Sequence, residues 1–307
     1  MISTVIPTRD RPLDLKIAVL SVLSQTRLPD ELIVVDQSAR DDGKASVETL
    51  LANVPAIKLI YIHDSKISGL VDAKRVAVQH ATGDYVCFIE DDVVLEHDYF
   101  EQIELCFLKN KEIIGSCGVI TNPPRFPQFY ISMFDVFHRG IFADKRVSVF
   151  SHHANASLGL IASDKLSGGA SSWRREVFLA VPFDVKNGFH MLEDIDFSTR
   201  VAKHYADTHG LFINPKVRLQ HNCSPVNRED LGKRHYRKVV ECFLYYKKRR
   251  DWPRASLDFA WLLIGLFIEA LLKAVSARSI SVLFGFFQGL HHGYKTKIVV
   301  NNHSFSD

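Results

Sequence analysis

Residues 87–94 have the sequence CFIEDDVV, in which an apolar run stops at Glu90, Asp91 and Asp92 and then resumes. Three neighbouring carboxylates repel one another, which raises the energy of the site unless a cation neutralises them. Oxygen ligands of this kind suit Mg²⁺ or Mn²⁺, which can bridge to the oxygens of a diphosphate. On the triplet alone, a solvated acidic turn after a strand is an equally good explanation.

The chain before this triplet alternates strand-like and helix-like segments. Short runs rich in Val, Ile, Tyr and Phe predict four strands: STVIP, ELIVVD, IKLIYIH and YVCFIED. Between the first two strands, four apolar residues share one face of a predicted helix: Leu15, Ala18, Val19 and Val22. A second helix is predicted in SGLVDAKRVAVQHATG. This order predicts an α/β fold with a mostly parallel sheet covered by helices.

Ligands of such sheets bind at the carboxyl ends of the strands. Asp36 ends the second predicted strand, and the residues PTRDR end the first. A carboxylate there can accept hydrogen bonds from a base or ribose, while Arg9 and Lys74 could meet phosphate charge. Taken singly, Asp36 also suits an ordinary turn, and Lys74 suits a solvated helix position.

The regular pattern is lost from about Thr121 to Leu166 and returns with LSGGASSWRREVF. Gly168 and Gly169 in that segment would let the backbone approach a ligand closely. A helix is then predicted in LEDIDFSTRVAKHYADTHG, ending on Gly210, and a strand in LFINPKVRLQH. His221 ends that strand and could complete a metal shell, although a lone histidine also suits a packed or surface position.

The motifs together resemble the large family of inverting glycosyltransferases with the GT-A fold. They are PTRDR, VVDQS, GLVDAKRVAVQHATGDY, FIEDDVV, LSGGASSWRREVF and LEDIDFSTRV, in that order. The resemblance covers residues 1 to about 225. It implies a nucleoside-diphosphate sugar as donor, a divalent cation, and a single displacement that inverts the anomeric carbon.

The resemblance also implies roles for individual residues. Pro7, Thr8 and Arg9 would line the nucleotide pocket, and Asp36 would contact the base. Glu90 and Asp91 would lie at the ribose and diphosphate, Asp92 would bind the metal, and Asp194 of the Glu193–Asp194 pair would be the catalytic base. The family usually has Asp where Glu90 stands, and Ala-Arg-Asn where this chain has Ala73, Lys74 and Arg75.

The chemistry of transfer agrees with these roles. A departing diphosphate needs its charge stabilised, which a metal supplies as a Lewis acid. The acceptor hydroxyl must lose a proton, and a carboxylate within hydrogen-bond reach can take it. The acids at 193, 194 and 196 also suit the N-terminus of a helix in any protein, where the dipole favours negative charge.

The C-terminal part is basic and then apolar. Nine of its residues between Lys233 and Arg254 are Lys or Arg and two are acidic, whereas the whole chain has a net charge of +3. Such a cluster just before apolar segments favours an anionic membrane surface over nucleic acid. We therefore expect the neighbouring residues Lys247, Lys248, Arg249 and Arg250 to meet lipid headgroups. Asn227 followed by Asp230 predicts the cap of this basic helix.

Two apolar segments follow, FAWLLIGLFIEALLKAV and SISVLFGFFQGL, the first of which contains Glu269. Because spanning a bilayer takes roughly 17–25 apolar residues, we expect both to lie in the interface or to form a shallow hairpin. Packing on the catalytic domain or in a homo-oligomer is the alternative. The predicted domains are a GT-A domain at 1–225, with a nucleotide-binding half at 1–120 and an acceptor-side half at 121–225, and a helical extension at 226–307.

Five scattered cysteines and an N-terminus without a secretory segment indicate a reducing compartment. The sequence thus predicts a cytoplasmic enzyme at the inner face of the cell membrane that transfers a sugar to a growing surface glycan or a lipid-linked acceptor. A nucleotidyltransferase would also use a carboxylate-bound metal, but it would normally have a glycine-rich, lysine-bearing loop after the first strand. A non-catalytic membrane-surface protein would leave Asp92 and Asp194 unexplained.

Overall fold

The computed structural model describes residues 1–123, 128–151, 157–226 and 229–299. These residues form two compact units. The first unit falls within residues 1–125, 145–183 and 193–227, and the second within 126–144, 184–192 and 228–307.

The elements occur in the following order along the chain: β1 Ile2–Thr8, α1 Pro12–Leu23, β2 Glu31–Asp36, α2 Lys44–Leu51, β3 Lys58–His63, α3 Gly69–His80, β4 Tyr85–Ile89, β5 Val93–Leu95, α4 Tyr99–Lys109, β6 Ile113–Ile120, α5 Gln128–Phe137, a 3₁₀ turn Gly140–Phe142, α6 Lys145–Ser151, β7 Ile161–Ala162, β8 Ala170–Arg174, α7 Val177–Ala180, α8 Glu193–His204, β9 Gly210–His221, α9 Leu231–Lys247, α10 Ala255–Ser276 and α11 Ser281–Lys295.

The strands of the described residues form one sheet in the first unit, in the order β3-β2-β1-β4-β8-β6-β9-β5, with β7 paired to β9. The four strands β3, β2, β1 and β4 are all parallel, and β6 is parallel to β9. The strands β5, β7 and β8 join antiparallel. Parallel strands end at one edge, so Thr8, Asp36 and the acidic triplet after Ile89 come to the same rim of the sheet.

Helices cover both faces of the sheet, as the sequence pattern predicted. Two clusters of buried apolar residues lie on the two sides of it. The predicted face of α1 is confirmed, because four of its buried residues are Leu15, Ala18, Val19 and Val22. Pro12 begins this helix, where its missing N–H leaves no hydrogen bond unmade.

The predicted end of α8 at Gly210 is wrong. The helix stops at His204, and Thr208 and His209 both donate their backbone N–H groups to the Tyr205 carbonyl in a turn. Gly210 is instead the first residue of β9, and its N–H donates to Glu112 ahead of β6. Pairing with the neighbouring strand β6 therefore places Gly210 at the start of β9 and not at the end of α8.

The second unit contains α5, the 3₁₀ turn and the helices α9, α10 and α11. Asp230 caps α9, as predicted, by accepting from the N–H groups of Gly232 and Lys233; Asn227 lies outside the described residues. The helices α9 and α11 pack closely, because glycines of α11 face α9 and leave no room for a side chain. A Cβ at Gly289 would come within 2.8 Å of the Val239 side chain, and one at Gly293 would overlap the Phe243 ring.

Three of the four basic residues at the end of α9, which we expected to meet lipid headgroups, have partners within the unit. Lys247 donates to the carbonyls of Gly293, Tyr294 and Thr296 at the end of α11. Lys248 forms an ion pair with Asp184 at 2.7 Å. Arg249 is buried over the Tyr245 ring, 3.8 Å from its centroid. These cations complete helix ends and neutralise a carboxylate inside the unit, which a sequence cannot reveal.

The 22-residue helix α10 is, among the described residues, the one helix long and apolar enough to cross a membrane on length and composition. It also carries Glu269, whose carboxylate contacts Lys238 of α9 and Lys273, each at 2.6 Å. The two ammonium groups outweigh burial and hold the pKa of Glu269 well below its usual range. The charged face of α10 is therefore turned toward α9.

Candidate active site

A cavity of about 210 Å³ opens at the carboxyl ends of β1 and β2. Asp36 lies in its wall, with Oδ2 accepting from the Tyr61 hydroxyl at 2.7 Å and Oδ1 from the Ser38 N–H at 2.9 Å. Burial and the adjacent carboxylate raise the pKa of Tyr61, which keeps its hydroxyl a donor. Asp36 is thus held rigidly at the pocket where the sequence placed it.

Of the three residues predicted to line the nucleotide pocket, Pro7, Thr8 and Arg9, the structure places only Thr8 in the wall of this cavity. Thr8 lines the cavity, whereas Pro7 is buried within β1 opposite Val35. Arg9 is exposed, with Nε 3.8 Å from the Asp10 carboxylate. Arg11, which sequence reasoning passed over, lines the cavity instead.

Asp91 is buried and turned toward β1. It accepts from the Thr8 hydroxyl at 2.8 Å and from Arg11 Nη1 at 3.0 Å. Burial raises the pKa of Asp91 to about 6, against the opposing effects of Thr8 and Arg11. Asp91 therefore anchors the acidic triplet to the first strand, and Arg11 supplies the positive charge beside it.

Asp92 and His221, the two predicted metal ligands, lie together, and Glu90, which was predicted at the ribose and diphosphate, joins them. His221 Nε2 lies 3.1 Å from Glu90 Oε2 and 3.1 Å from Asp92 Oδ1, and ligand atoms of all three residues lie within 4.8 Å of one another. Asp92 Oδ2 accepts from the Ser224 N–H, and its buried Oδ1 faces the His221 imidazole. The two carboxylates raise the pKa of His221 to about 10. This cluster of two carboxylates and one imidazole has the donor types of a divalent-cation site.

Gly168 and Gly169 lie between the acidic triplet and the start of α8. A Cβ at Gly169 would overlap the Glu90 side chain, with Oε1 at 2.5 Å. A Cβ at Gly168 would overlap Glu193 Oε1 and lie 3.0 Å from Asp194 Cβ. Because these two glycines lack side chains, Glu90 and the Glu193–Asp194 pair can both approach the same loop.

Lys74 does not face the triplet. Its ammonium is buried and donates to Glu193 Oε1 at 2.7 Å and to the Gly168 carbonyl at 2.9 Å, and it lies over the Phe88 ring. Burial raises the pKa of Glu193, and Lys74 opposes that effect. The predicted phosphate contact of Lys74 is therefore replaced by a buried ion pair that fixes the first residue of α8.

Asp194 is more accessible than Glu193 and is oriented by three donors. Its Oδ1 accepts from the Ile195 N–H at 2.7 Å, and its Oδ2 accepts from Gly168 N–H at 3.2 Å and from Arg146 Nη1 at 2.6 Å. Arg146 also donates to the Leu166 carbonyl at 2.8 Å. Arg146 belongs to the segment in which the sequence shows no periodicity, so only the fold brings it here.

We expect Gly168→Ala to lower both stability and any activity that depends on Asp194. The added methyl must displace the buried Lys74–Glu193 pair, and overpacking of this kind costs about 1–3 kcal/mol. Thermal unfolding should shift downward by several degrees. Gly159→Ala is the matched control, since a Cβ there meets nothing within 4 Å. Equal melting temperatures for the two variants would contradict the close approach at Gly168.

Comparisons with known proteins bear on this arrangement. The family described as glycosyl transferase family 2 matches residues 3–161. An uncharacterized glycosyltransferase of Haemophilus influenzae is 24% identical over 118 residues, covering 38% of this chain and 46% of that protein. Rat polypeptide N-acetylgalactosaminyltransferase 5 is 28% identical over 129 residues, covering 41% of this chain and 13% of that protein. The aligned segments thus span less than half of these curated relatives.

Solved structures share the fold. A mannosyltransferase from Pyrobaculum calidifontis, determined in complex with GDP-Man and Mn²⁺, superposes with a TM-score of 0.63 at 14% identity, covering 97% of this chain and 88% of that one. Residues 1–349 of TarS from S. aureus superpose with a TM-score of 0.56 at 14% identity, covering 94% and 80%. At this identity the likeness concerns the fold.

Proposed function

Because the chain belongs to glycosyl transferase family 2, we propose that it moves a sugar from a nucleoside-diphosphate donor to a hydroxyl acceptor with inversion at the anomeric carbon. It is a glycosyltransferase with the GT-A fold, as the resemblance in its sequence implied. One observation carries the finer proposal: a single glycine loop contacts Glu90 of the acidic cluster and Asp194 at the start of α8.

The donor side of the site would be the cavity beside Thr8 and Asp36 together with the acidic cluster. Asp36, with both oxygens engaged by Tyr61 and Ser38, has its remaining lone pairs to offer to the base or ribose. Arg11 lies at the border between this cavity and Asp91 and would face the diphosphate, the role that the sequence suggested for Arg9.

Glu90, Asp92 and His221 would hold the divalent cation. The closeness of their ligand atoms, all within 4.8 Å of one another, supports this assignment, because two carboxylates and an imidazole so arranged can bind one cation. A set of two carboxylates and one imidazole suits Mn²⁺ better than Mg²⁺, which favours an all-oxygen shell. When bound, the cation stabilises the charge of the departing diphosphate.

Asp194 would act as the catalytic base. In the step, the acceptor oxygen forms a bond to the anomeric carbon, the bond from that carbon to the phosphate oxygen breaks, and the hydroxyl proton passes to Asp194. The three donors to Asp194 support this role because they hold the carboxylate in one orientation. Glu193, the other predicted catalytic residue, would instead position the helix through its pair with Lys74.

The acceptor would be a glycan or a lipid-linked sugar, and the chain would work at the cytoplasmic face of a membrane. Of the alternatives considered from the sequence, a nucleotidyltransferase is disfavoured by the family and by the loop after β1, which is TRDRP rather than glycine-rich.

The direct test is incubation of the full chain with a panel of nucleoside-diphosphate sugars and Mn²⁺ or Mg²⁺, with release of free nucleotide as the readout. We expect cation-dependent release with one or a few donors, accelerated by the correct acceptor. The anomeric configuration of the product, measured by NMR, should be opposite to that of the donor. A product that retains the donor configuration would rule out the single displacement.

A further inference from the structure

Helix α11 has two opposite faces of different character. Its glycines at 285, 289 and 293 recur every four residues and face α9. The opposite face exposes four large side chains, between 55% and 78% accessible: Ile280 just before the helix, Phe284, Phe287 and Tyr294. We call these four residues the apolar face. Single exposed apolar residues are common on proteins, but a helical stripe of them usually marks an interaction surface.

A second exposed stripe runs along α10 with the spacing of one helix face: Leu257, Trp261, Ile264, Leu271 and Val275. The two helices meet where Phe267 of α10 contacts Phe287, with ring centroids 6.1 Å apart. The apolar face is thus joined by aromatic packing to the helix that carries the second stripe.

The exposed charged residues at the two ends of the apolar face are positive. The sequence contains no Asp or Glu between Glu269 and Asp307. Arg278 precedes the face, and Lys295 and Lys297 follow it, all exposed. Two acids near the start of α9, Glu229 and Asp230, are paired with Arg237 and Lys233. A surface of aromatic side chains flanked by cations complements anionic lipid headgroups above an acyl layer.

We propose that the second unit docks on an anionic lipid bilayer through the apolar face of α11, with Arg278, Lys295 and Lys297 at the headgroups. A second copy of the chain is a poorer occupant, because it would bring the same cations against them. Insertion across the bilayer is disfavoured for α11, whose 15 residues reach only about 22 Å against a hydrocarbon core of about 30 Å. This docking rests on the membrane location proposed above and specifies its surface, and it is testable without sugar transfer.

The experiment is flotation of the full chain with vesicles of phosphatidylcholine alone and of phosphatidylcholine with phosphatidylglycerol. Wild-type chain should float with the anionic vesicles and much less with the neutral ones. Phe284→Ser/Phe287→Ser should weaken partitioning by at least about tenfold, because two aromatic side chains lose their burial. Lys295→Glu/Lys297→Glu should weaken it by roughly fivefold or more per position and only with anionic lipid.

Matched controls change exposed residues of the first unit: Leu179→Ser for the apolar pair and Lys16→Glu/Lys109→Glu for the charges. These variants should float as the wild type does. The proposal is overturned if wild-type chain ignores anionic vesicles, or if the Phe284/Phe287 variant floats like its control. A lipid-free dimer that the Phe284/Phe287 variant abolishes would assign the face to a second copy. The vesicles can also be washed with alkaline carbonate, which removes proteins bound only at the surface. Chain that stays with the vesicles after this wash would indicate insertion across the bilayer instead.

Discussion

An Asp194→Asn variant should bind donor and cation as the wild-type chain does but transfer sugar at least about 10²-fold more slowly. The amide keeps the shape of the side chain, and its single oxygen can accept from the Ile195 or the Gly168 N–H group but not from both, yet it cannot take the acceptor proton. The measurements are the transfer rate at saturating donor and the affinity for the nucleoside diphosphate by calorimetry. A loss of rate with unchanged affinity would place the defect in the chemical step.

The neighbouring acids of α8 provide the comparison. Asp196 accepts from Arg200 Nε at 2.9 Å, so Asp196→Asn removes an ion pair of the same helix. We expect it to affect melting temperature more than transfer. Melting curves are also needed for Asp194→Asn, because it leaves Arg146 without its carboxylate partner. Full transfer by Asp194→Asn would move the role of base to Glu193 or Asp196.

Asp92→Asn should abolish most activity by weakening cation binding, while the fold is retained. The amide oxygen can still accept from the Ser224 N–H, but the ion pair of Asp92 with His221 is lost, so we expect the fold to be retained with a somewhat lower melting temperature. A coordinating carboxylate is lost, and we expect transfer to fall at least about 10²-fold at a cation concentration that saturates the wild type. Mn²⁺ affinity measured by electron paramagnetic resonance gives a readout independent of turnover.

Asp207→Asn, an exposed position in the turn after α8, is the control for the loss of one negative charge. It should leave both Mn²⁺ affinity and transfer unchanged. EDTA should inhibit the wild type, and excess Mn²⁺ should reverse this inhibition. Normal turnover by Asp92→Asn, or activity that survives EDTA, would show that the acidic cluster does not hold a required cation.

Local patterns were sufficient to place Thr8, Asp36 and the acidic triplet on one rim. Each of these residues ends an apolar strand, and parallel strands always end at the same edge. The glycines at 168 and 169 were recognisable because close approach of a loop requires their lack of a side chain. His221 could be predicted as a candidate since it also ends a strand.

Residues whose positions depend on long-range packing were not predictable. Arg11 reaches Asp91 because the chain turns sharply after β1, where Asp10 has a φ of 54°. Arg146 reaches Asp194 from a short helix in an aperiodic segment. Lys74 was predicted at phosphate, but a buried carboxylate is a stronger partner for a buried ammonium than solvent-facing charge. None of these pairings leaves a periodic signal in the sequence.

The glycine stripe of α11 also limits how this helix can evolve. Insertion or deletion of a single residue would rotate the downstream part of the helix by about 100° and carry its glycines away from α9. The same rotation would turn Tyr294 away from the direction of Phe284. Length changes inside the helix should therefore be rarer than changes of side chain on its exposed face, and the spacing between Gly285 and Gly293 should persist where the identities of the aromatic residues do not.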